Sequence, residues 1–406
     1  MKKYIALLLA LVMVFALAAC GSTNDATPAG SADGQSAEPA ATDVKVAMIT
    51  DYGDITDQSF NQTTYEACKA FCEKNAVDFK YYKPTDDSTA ARVEMIDQAI
   101  AEGYNVVVMP GYAFAGAIVE TQDLYPDVKF VALDVSEYDI TSAFYKTDAD
   151  GNVTEELLDE SNEPHVAANV YSAVYQEELC GYMAGVAAVK LGYTKLGFLG
   201  GMAVPAVIRY GYGFVQGASA AADELDTDIE INYVYGGQFY GDGDITAAMD
   251  TWYNAGTEVV FACGGGIYSS AAEAAAKVGG KVIGVDVDQA GIIDGDYGEG
   301  MTVTSAMKGL AATVDTMLGE ILAGNWDNYG GKVETLGLVS GEDASLNYVQ
   351  IPLESTQWSD SFTQDDYVAL VASMVAGDVT VSNDISVAAK DLAGEHVSLT
   401  DQGQIK

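Results

Sequence analysis

Phe60 and Asn61 stand side by side where a polar segment gives way to a stretch of helical periodicity. An aromatic ring supplies a stacking face, and a carboxamide supplies a hydrogen-bond donor beside an acceptor. That combination suits a flat heterocycle with polar edges. A lone phenylalanine is more often a core residue, and Asp57 and Ser59, just before it, are also ordinary helix-capping residues. The pair is therefore a candidate platform for a ring-shaped ligand.

A repeat places aspartates at matching positions in two halves of the chain. In segment 105–134, an apolar strand is followed by a turn at Gly111, a helix, and a second strand that ends in Asp134. Segment 258–286 has the same order, with a glycine turn at Gly264–Gly266 and Asp286 at the end. Chance similarity of two strand–helix–strand units is the alternative, but two similar lobes are the simpler interpretation.

Three further positions are candidate ligand contacts. Asp51 ends the first predicted strand, and Lys308 follows a strand and opens a helix in a chain with few basic residues. The turn at Gly264–Gly266 lacks both the Gly-Lys-Ser/Thr ending of a P-loop and the full G-x-G-x-x-G spacing. A glycine turn at a helix start can instead hold sugar hydroxyls, so a ligand-facing turn centred on Gly265 is favoured over a purely structural one.

Residue types that support metal binding or catalysis are sparse. His165 and His396 are the two histidines, and neither stands in a triad or a ligand-like spacing. We predict no metal, no cofactor and no enzyme activity. Beyond position 20 the cysteines are expected to be buried thiols, with a disulfide or a metal pair at the first two as the alternatives: Cys68, Cys72, Cys180 and Cys263.

The charge balance limits the partners. The formal net charge is −41, with 60 acidic residues against 19 Lys and Arg. Such a surface repels nucleic acid and anionic lipid at long range. A polyphosphate ligand meets the same unfavourable field, so a neutral or weakly charged ligand is expected.

The first residues have the pattern of a secretory signal. Lys2 and Lys3 precede an apolar run that is shorter than the roughly 20 residues of a membrane span and ends in Leu-Ala-Ala-Cys20. This resembles the lipobox of bacterial lipoproteins, with residues 1–19 removed and Cys20 lipidated. An ordinary signal peptide with an incidental cysteine is the alternative. Residues 20–42 would be the lipidated cysteine and a flexible tether, because residues 21–42 contain only small and polar residues.

From residue 43 onward, short apolar runs alternate with helical patterns, which predicts an α/β fold with parallel sheets covered on both faces. We expect two doubly wound, Rossmann-like lobes with a ligand cleft between them, at the carboxyl ends of the strands. Residues 43–165 form the expected N-terminal lobe, joined by about 305–406. Residues 166–304 form the expected C-terminal lobe.

Several blocks, in order from about residue 43 to the end, resemble the basic membrane protein family. These are lipoproteins of the purine-nucleoside-receptor type, substrate-binding proteins of ABC transporters with a type I periplasmic-binding-protein fold. The matching blocks are Thr50-Asp51 with Asp57–Gln62, Tyr125–Asp134, Gly213-Phe214 with Gly217, Gly284–Gln289, and Thr304-Ser305 with Lys308.

The resemblance implies roles for the matching positions. Phe60 would stack on a purine, while Asn61 and Asp134 would bond its edge. Asp286 and Lys308 would hold the ribose hydroxyls. The other expected ligand contacts are Asp51, Gly111, Gly265 and Tyr268, where Tyr268 and Tyr210 are the candidates for a second aromatic opposite the base.

The expected partners follow from the same resemblance: a purine nucleoside, an ABC permease, and a membrane reached through the N-terminal lipid. We expect a monomer on the extracytoplasmic face that binds no nucleic acid. The alternatives are a binding protein for another small solute, such as a sugar or an autoinducer, and a surface nucleoside hydrolase. The hydrolase alternative rests on Asp51, Asp54 and Asp57, whose spacing departs from the calcium-binding aspartates of those enzymes.

Overall fold

The computed structural model describes residues 43–148 and 152–406, which belong to one compact unit. Its strands are β1 Lys45–Ile49, β2 Asp78–Tyr82, β3 Val106–Pro110, β4 Lys129–Leu133, β5 Tyr145–Thr147, β6 Val153–Leu157, β7 Val170–Tyr175, β8 Lys195–Gly200, β9 Ile229–Tyr235, β10 Val259–Cys263, β11 Lys281–Asp286, β12 Thr302–Lys308, β13 Lys332–Leu336, β14 Val349–Gln350 and β15 Val397–Gln404.

The α-helices alternate with these strands. They are α1 Phe60–Asn75, α2 Thr89–Ala101, α3 Ala115–Thr121, α4 Glu137–Ser142, α5 Glu177–Lys190, α6 Pro205–Leu225, α7 Gly243–Asn254, α8 Tyr268–Ala276, α9 Ala290–Tyr297, α10 Leu310–Leu322 and α11 Gln364–Ala376. Among the described residues, none of the helices is both long and apolar enough to cross a bilayer.

Two sheets define two lobes, and their strands are parallel except for β14, which pairs antiparallel with β12. The sheet of the first lobe has the strand order β13-β7-β4-β3-β1-β2, and the sheet of the second lobe has the order β14-β12-β11-β10-β8-β9-β15. Within each, the first five strands of the lobe follow the doubly wound order 2-1-3-4-5, so the order reverses between β1 and β3 and again between β8 and β10. Such reversal points are where open α/β sheets bind ligands. The expected α/β fold with two similar lobes is confirmed.

The sheet membership differs from the expected lobe boundaries of 43–165, 166–304 and 305–406. Strand β7 lies beyond residue 165 yet pairs with β4 in the first sheet, where its apolar side chains are buried. The tail after 305 is divided between the lobes. Strand β13 pairs with β7 of the first sheet, while β15 covers the edge of β9 in the second. Edge pairing of this kind depends on tertiary contacts, which the local pattern of the tail does not reveal.

Helices α5 and α6 pack with their backbones in close contact. A Cβ atom added to Gly213 would lie 2.0 Å from the carbonyl oxygen of Glu178, and one added to Gly217 would lie 2.0 Å from that of Tyr182. Glycines on α5 are equally close, with Gly181 facing the carbonyl of Tyr210. This contact fixes the start of α5 relative to the first turns of α6, and both helix starts lie beside the cleft.

The cysteine prediction is confirmed as buried, unpaired thiols at all four described positions: Cys68, Cys72, Cys180 and Cys263. Burial raises the pKa of Cys72 to about 12 and that of Cys68 well above its usual value. Because the thiolate is the reactive form, burial disfavours reaction of Cys68 and Cys72 at neutral pH.

Candidate functional site

A cavity of about 530 Å³ lies between the carboxyl ends of the two sheets. It brings together all nine residues that the sequence placed in a ligand site: Asp51, Phe60, Asn61, Gly111, Asp134, Gly265, Tyr268, Asp286 and Lys308. The volume is in the range of small-molecule binding sites. The expected lipidation site, Cys20, lies outside the described residues.

The loop from β1 to α1 is organised by Asp51. Its Oδ1 accepts hydrogen bonds from the backbone N–H groups of Tyr52 and Gly53, both at 2.6 Å, and from Asn61 Nδ2 at 3.2 Å. Burial raises the pKa of the Asp51 carboxyl, and these donors act against that shift. Behind the strand end, Arg92 Nε donates to the Asp51 carbonyl at 3.2 Å.

Asp57 caps α1 from outside the helix. Its carboxylate accepts from the backbone N–H groups of Ser59 and Asn61 at 2.9 Å and of Gln62 at 3.0 Å. A capping role is therefore sufficient to explain Asp57. The Ser59 side chain makes no capping bond to the helix; its Oγ instead donates to Asp286 Oδ2, at 2.5 Å, across the cleft.

Lys308 is the buried centre of the charged part of the site. Its ammonium bonds to Asp134 Oδ2 and lies 3.5 Å from Glu177 Oε1 and 3.7 Å from Asp286 Oδ1. It also lies 4.7 Å from the centre of the Phe60 ring. Burial acts to lower the pKa of Lys308, but the three carboxylates outweigh it and raise the pKa above its ordinary value. The lysine is thus a fixed positive charge among three acids.

Asp134 and Asp286 occupy equivalent places in the two lobes and share an unusual backbone. Their φ angles are +60° and +64°, in the left-handed region that non-glycine residues seldom adopt. Strained backbone at a cleft is a common feature of functional sites. Burial raises the pKa of Asp134 to about 6, against the opposing effect of Lys308. The repeat in the sequence thus corresponds to a repeated local geometry.

Glu177 and Arg209 belong to the site, and the sequence analysis missed both. Glu177 has no exposed surface; one of its oxygens faces Lys308, and the other accepts from Arg209 Nε at 2.7 Å. Arg209 lines the cavity. The scarcity of arginine was a usable signal, because the chain has only Arg92 and Arg209. Arg92 is buried behind Asp51, so both arginines lie close to the site.

The aromatic lining differs in part from expectation. Tyr210 is buried with its ring edge-on to Phe261, 6.0 Å between centres, and its hydroxyl donates to Asp286 at 3.2 Å. It therefore acts as a hydrogen-bond donor within the wall. Tyr268 lines the cavity with little exposure, and Phe239 and the exposed Tyr240 line it as well.

The glycine turn after β10 packs under Phe239. A Cβ atom on Gly264 would lie 2.8 Å from the Phe239 ring, and one on Gly265 would lie 2.7 Å from the Phe239 carbonyl oxygen. Both glycines also have positive φ angles, of 144° and 52°. The turn faces the cavity and at the same time has a structural reason to be glycine.

Two doubly wound lobes enclose one cavity between their strand ends, lined by aromatic rings and a buried charged cluster, which is the arrangement of a small-molecule binding site. The sequence profile of the Bmp family, described as ABC transporter substrate-binding protein PnrA-like, matches residues 44–349. The chain belongs to this family. It is accordingly a substrate-binding protein of an ABC transporter, of a family that is extracytoplasmic and not enzymatic.

Individual relatives are similar to most of the chain. The ABC transporter nucleoside-binding protein BmpA of Lactococcus lactis is 27% identical over 294 residues, covering 69% of this chain and 72% of the relative. The CD4+ T-cell-stimulating antigen of Listeria innocua is 27% identical over 361 residues, covering 82% of this chain and 90% of the relative.

The fold also matches solved structures. A solute-binding protein of an ABC transporter system from Aeropyrum pernix superposes with a TM-score of 0.60 at 20% identity, covering 86% of this chain and 90% of the other. A second one, from Conexibacter woesei, gives 0.60 at 22% identity over 84% and 99% of the two chains. These likenesses establish the type I periplasmic-binding-protein fold.

Proposed function

We propose that this protein binds purine nucleosides in the cavity between its lobes and delivers them to an ABC permease. The observation that carries the proposal is that the cavity has two kinds of lining: an aromatic ring with an amide, and a pair of buried charged groups. Phe60 and Asn61 offer a ring face and an amide, whereas Asp286 and Lys308 offer a buried carboxylate and ammonium. A base joined to a polyhydroxylated sugar matches both, and one relative is named as a nucleoside-binding protein.

On the base side, Phe60 stacks on the ring, and Asn61 and Asp134 bond its edge. Asp51 supports this arrangement by holding the Asn61 amide, and Gly111 lies against Asp51, so a Cβ atom there would come within 3.2 Å of its carboxylate. Phe239 is our candidate for the opposite face of the base, because it projects from the second lobe over the turn at Gly265. Tyr268 lines the same wall.

On the sugar side, Asp286 accepts from the ribose hydroxyls and Lys308 donates to them. Asp286 already accepts from two hydroxyl groups of the protein, those of Ser59 and Tyr210, so its surroundings suit O–H donors. When the sugar replaces the Ser59 hydroxyl at Asp286, a deoxynucleoside would leave this buried carboxylate short of a partner, which costs about 1–3 kcal/mol. We therefore expect ribonucleosides to bind more tightly than deoxynucleosides.

The charges around the cavity act against nucleotides. Asp134, Glu177 and Asp286 carry three negative charges, and two cations, Lys308 and Arg209, are paired with them. A phosphate added to the ligand would find no free cation in this cluster and would meet the field of an acidic protein. The expected ligand is therefore the uncharged nucleoside.

The remaining parts of the proposal concern location and assembly. The Leu-Ala-Ala-Cys20 sequence would attach a lipid to the mature N-terminus, and residues 21–42 would tether the lobes to the extracytoplasmic face of the membrane. The protein would act as a monomer and present its closed, loaded lobes to the permease. Labelling of Cys20 with a fatty-acid analogue in cells, compared with Cys20→Ser, tests the anchor.

A thermal-shift screen of the full-length chain in detergent tests the ligand. The protein is unfolded and refolded first, so that no carried-over ligand masks the response, and is then mixed with nucleosides, free bases, nucleotides and sugars. A ligand at 100 times its Kd stabilises by roughly 2.7 kcal/mol. Purine ribonucleosides should raise the Tm, whereas ribose and nucleotides should not. Phe60→Ala should abolish the shift, and Tyr138→Ala, at an exposed position outside the cavity, should retain it. A response to sugars alone would contradict the proposal.

A further inference from the structure

Two buried acceptor oxygens of residues that line the cavity from the first lobe have no hydrogen-bond partner. They are Asn61 Oδ1 and Asp134 Oδ1. Both residues line the cavity; Asn61 is 4% exposed, and the Asp134 side chain is 9% exposed. Buried polar atoms are nearly always paired, and those that are not require an explanation. A ligand that supplies the missing donors is such an explanation.

The Asn61 amide has a fixed orientation. Its Nδ2 donates to Asp51 Oδ1 and to Asp57 Oδ2, both at 3.2 Å. Turning the amide over would place its oxygen against two carboxylates, which is unfavourable because none of these atoms donates. Asn61 therefore offers the cavity an acceptor and no donor, although its residue type alone suggests both.

Asp134 also acts as an acceptor only. Its Oδ2 is bonded to Lys308, so Oδ1 is the oxygen left for a ligand. The cluster around it holds three carboxylates against two cations, with Glu177 and Asp286 as the other two acids. This excess of negative charge favours a ligand edge made of N–H groups and disfavours one that presents a lone pair.

We infer that the site selects a ligand with adjacent N–H donors on one edge of its base, so that guanosine-type nucleosides bind more tightly than inosine or adenosine. This inference rests on the proposed function. Guanosine presents an N1–H and a 2-amino group side by side. Inosine lacks the 2-amino donors, and adenosine presents the N1 lone pair where the site offers only acceptors. Hydrogen bonds to a charged group of this kind change affinity by about 10- to 100-fold.

Two matched ligand pairs test the inference by isothermal titration of the refolded full-length chain in detergent. Guanosine and inosine differ only in the 2-amino group, as do 2,6-diaminopurine riboside and adenosine. We expect the 2-amino member to bind about 10- to 100-fold more tightly in each pair. Equal affinities within the pairs, or adenosine binding as tightly as guanosine, would overturn the inference while leaving nucleoside binding intact. If no nucleoside binds, both the inference and the proposed function are overturned.

Asp134→Asn tests whether Asp134 causes the preference for the 2-amino group, since the substitution keeps the shape of the side chain and removes the charge. The preference for the 2-amino group should shrink in this variant. Asp123→Asn, at an exposed position paired with His165, should keep the preference of the unmodified protein. An unchanged preference in Asp134→Asn would contradict the assignment to this residue. Because the ligand pairs are first compared on the unmodified protein, the inference remains decidable even if the variant does not fold.

Discussion

Ser59 and Asp286, 227 residues apart in the chain, are joined by a buried hydrogen bond of 2.5 Å from Ser59 Oγ to Asp286 Oδ2. Ser59 belongs to the first lobe and Asp286 to the second. Nearby, Gln289 Nε2 donates to the carbonyl oxygen of Gln58 at 3.0 Å, also across the cleft. The structure is therefore a closed form, in which a protein hydroxyl occupies the carboxylate that we assign to the ligand's sugar.

Ser59→Ala should shift the ligand-free protein toward an open form. Loss of a hydrogen bond to a charged group changes the balance of open and closed states by about 1.5–3 kcal/mol, or roughly 10- to 100-fold. Small-angle X-ray scattering should show a larger radius of gyration for the ligand-free variant than for the unmodified protein. Ser373→Ala, which removes a hydroxyl that donates to the Ala369 carbonyl oxygen within α11, is the matched control. Identical scattering curves for Ser59→Ala and the unmodified protein would show that the bond does not hold the lobes together.

Lys308→Met should strongly destabilise the fold. The substitution leaves Asp134, Glu177 and Asp286 without their shared cation, and breaking a buried ion pair costs about 3–5 kcal/mol. Lys277→Met removes an exposed lysine that pairs with Asp250, so it should change the stability far less than Lys308→Met does. Urea unfolding of both variants measures the difference. Equal costs for the two lysines would contradict the central role of Lys308.

Asp134 should make the protein lose stability as the pH rises from about 4 to 6. Burial raises its pKa to about 6 in the folded state, above the roughly 3.9 of an unfolded aspartate. The folded state then holds more protons than the unfolded state in that window, so the contribution of Asp134 to stability falls with rising pH. The charges facing it are Lys308, Glu177 and Asp286.

Between pH 4 and pH 6 the size of this effect is about 2 kcal/mol, because each of these limits lies close to one of the two pKa values and the full linkage energy is not reached. Urea unfolding at pH 4 and pH 6 measures it as the difference between the unmodified protein and Asp134→Asn. Other buried acids add their own dependence, such as Glu178, whose pKa burial raises to about 7. The comparison between the two proteins cancels those contributions. Parallel pH profiles would contradict the prediction.

Gly213→Ala should push α5 away from α6 and so displace Glu177, at the start of α5, from its ion pairs. The added Cβ atom would lie 2.0 Å from the carbonyl oxygen of Glu178, next to the residue that holds Lys308 and Arg209. Overpacking of this kind costs about 1–3 kcal/mol. Gly295→Ala on α9 is the control, and its effect on the stability should have the opposite sign. Its new methyl meets nothing within 4 Å, so it should stabilise the protein by about 0.5–1 kcal/mol. Thermal unfolding of both variants checks the signs.

Much of the site was accessible from the sequence because local pattern fixes where strands end. Asp134 and Asp286 follow buried strands in two repeated units, and parallel strands bring their carboxyl ends to one edge. The start of α1 could also be predicted from the local pattern, because the polar segment before Phe60 gives way there to helical periodicity. These residues are positioned by the elements to which they belong.

The remaining features depend on contacts between distant segments. Glu177 is the first residue of a helix whose sequence has no unusual feature. It belongs to the site only because Lys308 of β12 and Arg209 of α6 contact it in the folded protein. Ser59 is a residue type that often caps helices, but its hydroxyl donates to Asp286 in the other lobe. Tyr210 had the right residue type for stacking, yet its ring packs edge-on against Phe261 and its hydroxyl bonds to Asp286. The sequence pattern gives the position of such residues and not their partners.

The most direct test of the central claim is a crystal structure of the refolded protein with guanosine. We predict density for the nucleoside between the lobes, with the base stacked on Phe60 and its N–H edge toward Asn61 Oδ1 and Asp134 Oδ1. The ribose hydroxyls should lie about 2.5–3.2 Å from Asp286 and Lys308. An empty cavity at saturating guanosine, or a nucleoside bound elsewhere, would contradict the assignment of this site.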